Sequence, residues 1–501
     1  MMPHFVSLPV LMPMLAGILL LLPPSGKNLQ ARRITSIIMA VLTFTVSVNM
    51  LNQVLAGEIF VYAIGSWQAP FGIVLVADVM SSLMVTLTSF LALVCAFYSL
   101  CGDDEAGSFF HPLLHFLLLG VNGAFLTGDL FNLFVFFEVL LISSYALLMH
   151  SSDKHKTQSA LHYVVLNLVG SSVFLVALGI LYGVLGTLNI ADMALKAAEL
   201  SGDDRALLNI GGMLLLIVFA LKAAVIPLQF WLPATYASAL PVVAALFAIM
   251  TKVGIYAIIR VYPTIFVDPE NATTHIAQDW LWPAALITLV MGLLGVLASK
   301  DLRMIVANLV IISIGTLIAA VAFNTPGAIA AALYYLIHST LVTAGLFLLA
   351  DVIGKQRGKV AVRLVPAKPV GQPILLGTSF ILLVLAVVGM PPLSGFIGKV
   401  WLLQEALSAE KAPWFWAIYL VVSLFVLVTL TRAGSQLFWR HNGQEPSETR
   451  ATRCQMVAVI SLLLCSPLLS IFAGYISEVT TLAASQVFDT SGLQHAVLGG
   501  K

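Results

Sequence analysis

Residues 208–260 read LNIGGMLLLIVFALKAAVIPLQFWLPATYASALPVVAALFAIMTKVGIYAIIR. Lys222 and Lys252 each stand inside an apolar run long enough to cross a bilayer, and Pro227, Pro233 and Pro241 fall between them. A lysine at the bilayer centre costs roughly 2.5–3.5 kcal/mol on insertion scales, so it is rarely there by accident. Proline removes a backbone donor and clashes with the preceding turn, so this stretch cannot be one straight helix. The pattern predicts a charged path beside a broken helix inside a membrane protein.

Composition agrees. Of 501 residues, 60% are hydrophobic and 9% charged, with a mean hydropathy of +1.01. An average soluble domain is about 25% charged, which excludes a soluble enzyme of this length. A net charge of +1 gives no concentrated basic face for nucleic acid. Cys95, Cys101, Cys454 and Cys465 show neither CxxC spacing nor nearby histidine clusters, so no metal site or disulfide framework follows. The N-terminus has no basic region ahead of its apolar stretch and no small-residue cleavage pattern, and reads as a first transmembrane helix. Asn271-Ala272-Thr273 fits the glycosylation triplet, a pattern too frequent by chance to carry weight.

Apolar stretches of about 20 residues are helix candidates. They fall near 5–23, 34–55, 72–99, 109–127, 130–149, 161–186, 207–227, 242–263, 280–299, 302–323, 328–353, 374–391 with a continuation to 409, 413–439 and 454–480. The whole of 1–501 therefore reads as a single membrane domain, an all-α polytopic protein of about 14 transmembrane helices. Connections after odd-numbered helices hold fifteen of the 24 Lys and Arg: Lys27, Arg32, Arg33, Lys154, Lys156, Lys300, Arg303, Lys355, Arg357, Lys359, Arg363, Lys368, Arg440, Arg450 and Arg453. The opposite side keeps Lys196, Arg205, Arg260, Lys411 and Lys501. Positive-inside bias then puts both termini on the non-cytoplasmic side.

An internal repeat is visible. Tyr163-Val164-Val165-Leu166-Asn167 and the apolar run after it resemble Tyr335-Leu336-Ile337-His338 and its run. One span later the first copy has Lys222, Pro227 and Pro233; the second has Pro391-Pro392-Leu393-Ser394-Gly395 and then Lys399. Broken helices at corresponding places in two halves are the best sequence pointer to an ion site in a transporter. The copies, 109–263 (helices 4–8) and 280–439 (helices 9–13), contain five spans each, and an odd number forces the second to insert upside down. The last span, 454–480, stands outside both. Pro227, Pro233, Pro391 and Pro392 are the expected helix breaks.

Five ionisable residues sit within spans and form the candidate proton and ion pathway: Glu138, Lys222, Lys252, His338 and Lys399. An unpaired, ionised Glu138 in hydrocarbon would be very costly, so it is protonated, paired or hydrated. At about 4 Å and an effective dielectric near 20, a Glu138–Lys222 pair gains roughly 4 kcal/mol of gross attraction. Desolvation offsets much of that, so pairing alone argues weakly for stability, and a tie between two helices is the rival role. Burial disfavours a lysine's charged form and a nearby carboxylate restores it. Opening and closing the Glu138 contact would thus load and release a proton on Lys222, with Lys252 as central relay and Lys399 as terminal site. His338 lies mid-span among these groups and reads as a further relay, a buried hydrogen-bonded histidine being the alternative. His162 reads as interfacial, and Asp78 and Asp129 as helix-end or loop anchors.

The segments TGDLFNLFVFFEVLLISSYALL, LKAAVIPLQFWLPATYASALPVVAALFAIMTKVGIYAIIRVY and GMPPLSGFIGKVWLL resemble the antiporter-like subunits shared by respiratory complex I and the Mrp-type multisubunit cation/proton antiporters. The resemblance covers nearly the whole chain, and is greatest to the D subunits of the Mrp (Mnh, Pha) antiporters. Many complex I relatives carry Asp where this chain has Ala234, and one carries Glu at the position of Lys399. The resemblance implies two inverted five-helix repeats, each with a discontinuous helix, and a hydrated charged axis. It implies Glu138 as the acid of an ion pair with Lys222, and Lys252, His338 and Lys399 as the rest of the path. It also implies the A, B, C, E, F and G subunits as partners in a bacterial inner membrane.

The sequence thus points to a proton-translocating subunit of a Na+(K+)/H+ antiporter, a secondary transporter with no cofactor and no nucleic-acid partner. No nucleotide, flavin, quinone or iron–sulfur signature is present. The alternative is a pumping subunit of complex I or of a membrane-bound hydrogenase, whose ion path would look the same. A scaffold without transport and a carrier for organic anions are rivals from other classes; the latter would want arginine and a larger polar pocket.

Overall fold

A computed structural model describes residues 4–23, 26, 28–150, 154–267, 276–407, 409 and 412–499. The Asn271 triplet, Lys27, Asp268, Glu270, Lys411 and Lys501 lie outside these. The described chain is mostly α-helix. Its first part comprises α1 (Leu8–Leu21), α2 (Leu29–Val54), a hairpin of β1 (Phe60–Ala63) and β2 (Val74–Ala77), and α3 (Val79–Ser99). The strands pair antiparallel, Phe60 opposite Ala77 and Ala63 opposite Val74. Next come α4 (Phe110–Leu126), α5 (Leu130–Leu148), α6 (Lys154–Leu185), α7 (Ile190–Glu199), α8 (Gly202–Ala223), α9 (Trp231–Ser238) and α10 (Pro241–Ile265). They are followed by α11 (Gln278–Ala298), α12 (Leu302–Phe323), α13 (Pro326–Arg357), α14 (Pro373–Val388), α15 (Ser394–Ala406) and α16 (Ala412–Phe438). The chain closes with α17 (Arg453–Ile471), α18 (Ala473–Phe488) and α19 (Thr490–Leu498).

Eleven of these helices are long and apolar enough to cross a membrane, and α1, α4 and α14 are shorter apolar helices. In hydrocarbon every backbone group needs an internal partner, which a continuous helix supplies. The protein is a multi-pass membrane protein. Every residue of α10 is buried, and most of α12 and α3 with it. By contrast α2, α6 and α16 turn Ile34, Leu161, Leu168 and Leu424 outward, as lipid-facing helices do. The stretch expected as one last span, 454–480, divides at Phe472 into α17 and α18.

Helix starts are set by side-chain caps, which accept hydrogen bonds from otherwise unpaired N–H groups. Asp78 Oδ1 accepts from Ser81 N at 2.8 Å and caps α3, and Asp129 Oδ1 accepts from Asn132 N at 2.9 Å and caps α5. Asp301 caps α12 in the same manner, accepting from Arg303 N at 2.9 Å. The backbone around Asp129 and Asp301 is bonded alike. Leu130 N donates to Leu188 O and Ile190 N to Gly128 O; Leu302 N donates to Val362 O and Leu364 N to Lys300 O.

The two helix breaks also share one backbone pattern. Helix α8 ends at Ala224 in the left-handed region, φ 58°, and α14 ends at Gly389, φ 85°. Val225 N reaches back to Ala220 O at 2.8 Å, and Met390 N to Leu385 O at 2.9 Å, each closing its helix by a six-to-one bond. Leu228 N then donates to Val225 O, and Leu393 N to Met390 O. Pro227 and the pair Pro391-Pro392 lie in these turns. Pro233 does not: it is the third residue of α9, where a missing N–H costs nothing.

One end of the bundle is tied by charge. Arg33, at the start of α2, pairs with Asp104 at 2.5 Å in the α3–α4 connection. Lys355 and Arg303 meet Asp351 near the end of α13, at 2.7 and 3.2 Å, and Lys355 lies 3.8 Å from Asp103. Asn442 N and Ser447 N donate to Ala367 O and Pro369 O, bringing the connection before α17 to the same end. At the opposite end Arg260, counted among the charges of that side, lies inside α10, its guanidinium held by Asp78 at 2.5 and 2.9 Å and by Tyr256 Oη. A buried guanidinium needs such a carboxylate.

Replacing Asp78 by Asn leaves Arg260 buried without its carboxylate. Breaking a buried pair costs about 3–5 kcal/mol, so thermal unfolding in detergent should occur at a clearly lower Tm than in the parent protein. Burial, with the Asp351 carboxylate, pushes the Asp103 carboxyl up to about 6, whereas hydrogen bonds from Arg33 and His111 outweigh burial and hold Asp104 down at about 2. The folded state thus binds the Asp103 proton more tightly than the unfolded chain, whose carboxyl titrates near 3.8. Its contribution is fully present below pH 3.8 and is lost as pH rises through 6, about 3 kcal/mol in all. Asp103→Asn should flatten that part of the stability–pH curve relative to the parent, as read by Tm between pH 4 and 7.

Candidate functional site

Helix α6 brings Asn167 and Ser171 onto one face, four residues apart, between α5 and α8. Ser171 Oγ donates to Glu138 Oε1 on α5. Lys222 Nζ, in the last turn of α8, donates to Asn167 Oδ1 at 3.3 Å. Glu138 and Lys222 are thus each held by a neutral side chain of α6, with Ser171 Oγ also meeting Asn167 O at 3.0 Å, and no direct ion pair joins them among the described residues. This corrects the expected contact pair. A carboxylate and an ammonium drawn out of water gain more from hydrogen-bonding partners that both satisfy them than from mutual contact alone. Lys222 also lies over the Phe137 ring, 5.8 Å from its centre, in a cluster with Phe174 and Phe219.

The break beyond Lys222 exposes the carbonyl end of α8. Trp231 Nε1 of α9 donates to Leu221 O at 3.1 Å, and Ile226 N finds Thr288 Oγ1 of α11 at 3.1 Å. The carbonyl end of a helix is its negative pole, which favours a cation in the last turn. Lys222 occupies that turn.

The second break is built on the same electrostatics from the other side. Lys399, on α15, reaches back across the turn and donates to Val388 O, the last residue of α14, at 2.8 Å. Its ammonium also donates to Ser423 Oγ on α16 at 3.2 Å and sits 5.5 Å from the centre of the Tyr419 ring. His338 on α13 meets Ser394 Oγ through Nδ1 at 2.7 Å, and Ser394 Oγ meets Ser466 Oγ of α17 at 2.9 Å. A Cβ at Gly395 would lie 2.9 Å from His338 Nε2 and overlap Ala386 O, so α15 approaches α13 this closely only with glycine there. Tyr335 lies beside the His338 ring, 5.9 Å between ring centres. His338 and Lys399 thus belong to one cluster around the second break.

Lys252 stands between these clusters on α10, fully buried, with Ser313 Oγ of α12 at 3.3 Å and Thr251 Oγ1 at 3.5 Å. It bonds to neither break. Its helix does touch the first: a Cβ at Gly254 would lie 2.7 Å from Ala223 N, so α10 packs directly on the turn that carries Lys222.

Sequence reasoning missed the groups that sit between the charges: Asn167, Ser171, Ser313, Ser394, Ser423 and Ser466. Hydroxyls and amides both donate and accept, so they bridge an ammonium, an imidazole and a carboxylate alike. The spacing of Asn167 and Ser171 was a usable signal. Ser466 gave none, because it lies on a helix outside both expected repeats. Among the described residues no group of His, Cys, Asp or Glu is arranged to hold a metal ion. A recess of about 580 Å3 lined by Ser238, Asp301, Arg303, Asp351 and Lys355 opens beside α9.

Comparison with known proteins bears on this geometry directly. The family model described as NADH:quinone oxidoreductase/Mrp antiporter, TM, matches residues 127–427. The D subunit of a probable K(+)/H(+) antiporter of Rhizobium meliloti (strain 1021) is 38% identical, covering 94% of this chain and 93% of that one. The D subunit of a Na(+)/H(+) antiporter of Bacillus subtilis (strain 168) is also 38% identical, covering 99% of this chain and all of its own. A chain in the structure of the Mrp complex from Dietzia sp. DQ12-45-1b superposes with a TM-score of 0.89 at 27% identity, covering 99% of this chain and 100% of that one. Respiratory complex I from Thermus thermophilus contains a chain of the same fold, TM-score 0.81 at 24% identity, covering 97% of this chain and 99% of that one. With the family model spanning both helix breaks and relatives matching end to end, the chain belongs to the NADH:quinone oxidoreductase/Mrp antiporter family of transmembrane subunits.

Proposed function

We propose that the chain is the proton-translocating subunit of a multisubunit Na+(K+)/H+ antiporter, a secondary transporter working with other subunits of that assembly. One observation carries this reading: a lysine stands at each of two broken helices whose turns share the same backbone bonding, Lys222 in the last turn of α8 and Lys399 bonded to the last carbonyl of α14. Discontinuous helices whose ends face ions are how transporters of inverted-repeat design build their sites. Relatives 38% identical over nearly the whole chain are named as D subunits of cation/proton antiporters, which favours this assembly over a redox-driven one.

In this reading the polypeptide crosses a bacterial inner membrane fourteen times, and 109–263 and 280–439 are inverted repeats. The matched caps at Asp129 and Asp301 and the matched breaks support that correspondence. Both termini lie on the non-cytoplasmic side. The ion pairs that gather Arg33, Arg303 and Lys355 at one end of the bundle support this, since basic connections stay in the cytoplasm. Protons move along Glu138, Lys222, Lys252, His338 and Lys399. Ser171 and Asn167 pass charge between the first two, and cation movement elsewhere in the assembly shifts that exchange. The A, B, C, E, F and G subunits are the partners.

Glu138→Gln keeps the hydrogen bond from Ser171 and removes the charge. In inverted vesicles carrying the assembled complex it should lower antiport with Na+, K+ and Li+ at least tenfold while assembly persists; full activity would overturn the reading. The bridge is tested separately. Asn167→Leu and Ser171→Ala each leave Glu138 and Lys222 in place, and each should slow antiport several-fold with the pH optimum displaced. Unchanged rates would mean that the two charges communicate without α6.

A further inference from the structure

We propose that His115, Ser36 and His111 form a proton-binding relay at the end of the bundle that holds Arg33, a pH-sensing site apart from the path of Glu138 and the lysines. Ser36 Oγ, on α2, lies 3.0 Å from His115 Nε2 and 3.0 Å from His111 Nδ1, the two rings standing one turn apart on α4. His111 Nε2 meets Asp104 Oδ2 at 3.2 Å, and Asp104 accepts from Arg33 Nε and Nη2 at 2.5 and 2.7 Å. Ser36, Asp104, His111 and His115 are all buried. At the inner end of this chain His115 Nδ1 has no hydrogen-bond partner among the described residues. The other ionisable groups nearby are turned elsewhere. Arg32 donates to Ser108 O, Glu105 pairs with Arg33, Asp103 faces Lys355, and His150 stands beside the Phe110 ring. Helix α1 has no ionisable side chain, and α3 brings Cys95 and Tyr98, the latter bonded to Asp351. Helix α5 brings Glu138, held by Ser171, and Tyr145, edge-on to Tyr163. Helix α10 meets the far end of α4, where Tyr256 Oη donates to Phe125 O.

The hydrogens available fix how the relay works. Ser36 has a single proton to donate and faces a nitrogen of each ring, so at any moment one ring must donate to it. Asp104, held ionised by its bonds to Arg33 and His111, can only accept, which keeps a proton on His111 Nε2. With His111 neutral, its Nδ1 therefore accepts from Ser36, His115 donates Nε2–H to Ser36 Oγ, and His115 Nδ1 carries a bare lone pair. A proton arriving at that lone pair makes Nδ1–H. The Nε2–H proton of His115 then passes to Ser36 Oγ as Ser36 passes its own proton to His111 Nδ1. Only N–H and O–H bonds form and break, and the net change is one proton gained. The charge comes to rest on His111, which donates to both Asp104 and Ser36, while His115 is left neutral in the opposite tautomer. Imidazole is the side chain that makes such a change between about pH 5 and 8.

Charge on His111 strengthens the hold of Asp104 on the first turn of α4. A Cβ at Gly120 would lie 2.5 Å from Leu140 N, and one at Gly123 would lie 2.2 Å from the Phe136 ring, so α4 presses on α5 to either side of Glu138. A change in how α4 is held thus reaches Glu138, a consequence that rests on the function proposed above. The test uses the assembled complex in vesicles with nitrogen-15-labelled histidine. Between pH 8 and pH 6, nitrogen NMR should show one imidazole gaining a proton while a second exchanges tautomers in the same step. His111→Gln should remove the first signal and His115→Gln the second. Ser36→Ala keeps both rings and should uncouple them, and Ser36→Thr, which keeps the hydroxyl, should restore the coupling. No titration of either ring, a His115 ring that holds one tautomer as His111 charges, or coupling that survives in Ser36→Ala would overturn the relay. The ratio of antiport rates at pH 8 and pH 6 should differ at least threefold between His111→Gln and the parent, and an equal ratio would overturn the sensing role. Absence of antiport in the parent would count against the proposed function alone, because the NMR signals read the relay independently.

Discussion

A charge in hydrocarbon needs an oxygen or nitrogen to face, and this structure supplies them by interrupting helices. An intact helix hides its carbonyls in its own ladder. Ending α8 at Ala224 and α14 at Gly389 frees the last carbonyls of each, and the left-handed residue lets the chain turn while saving most of the helical bonds. Lys222 stands in the last turn of α8 with its ammonium on Asn167, and Lys399 reaches back from the helix beyond to the last carbonyl of α14. The rest of the bundle is built so that these two turns can exist where lipid would otherwise forbid irregular backbone.

The packing follows from that need. Helices α10 and α12, buried almost throughout, carry Lys252 and Ser313 between the two breaks. Glycines at 254 and 395 let neighbouring helices close onto the turns. The Asp78–Arg260 pair locks one end of α10 to α3, and the network of Asp103, Asp351, Arg303 and Lys355 locks the other end of the bundle. Charges that serve architecture are thus paired directly near the ends of the bundle, with Asp78, Arg260 and Asp104 buried in their pairs. Those along the candidate path are separated by Ser, Thr and Asn. That difference is physical: a direct pair holds its charge in place, whereas a hydroxyl or amide between two charges lets either be neutralised without leaving the other bare.

Much of the fold was legible from the residues. A helix that must satisfy its own backbone in lipid advertises itself as a long apolar run, so the positions of the helices followed from hydropathy and the breaks from Pro227 and Pro391-Pro392. The ionisable residues within the helices were legible for the same reason, since charge in an apolar run is expensive. Three features were not. The burial of Arg260 against a carboxylate had no local signal, because its partner, Asp78, is 182 positions away. Pro233 looked like a break because proline at the third helical position reads the same as proline between helices. Phe472, where α17 gives way to α18, sits in an apolar run with no breaker beside it.

By itself the sequence determined the class of protein, the repeat of its broken helices and the identity of the charges within them, because cost in hydrocarbon depends only on residue type and run length. The tertiary structure decided what each charge touches. Partners such as Asn167 for Lys222, Ser394 for His338 and Ser466 for Ser394 come from other helices and carry no local signature. Serine, threonine and asparagine are common enough in membrane helices that only proximity shows which of them bridge ions. Where Glu138 and Lys222 find their hydrogen bonds, on Ser171 and Asn167 of α6, was likewise decided in three dimensions, by how α5, α6 and α8 pack.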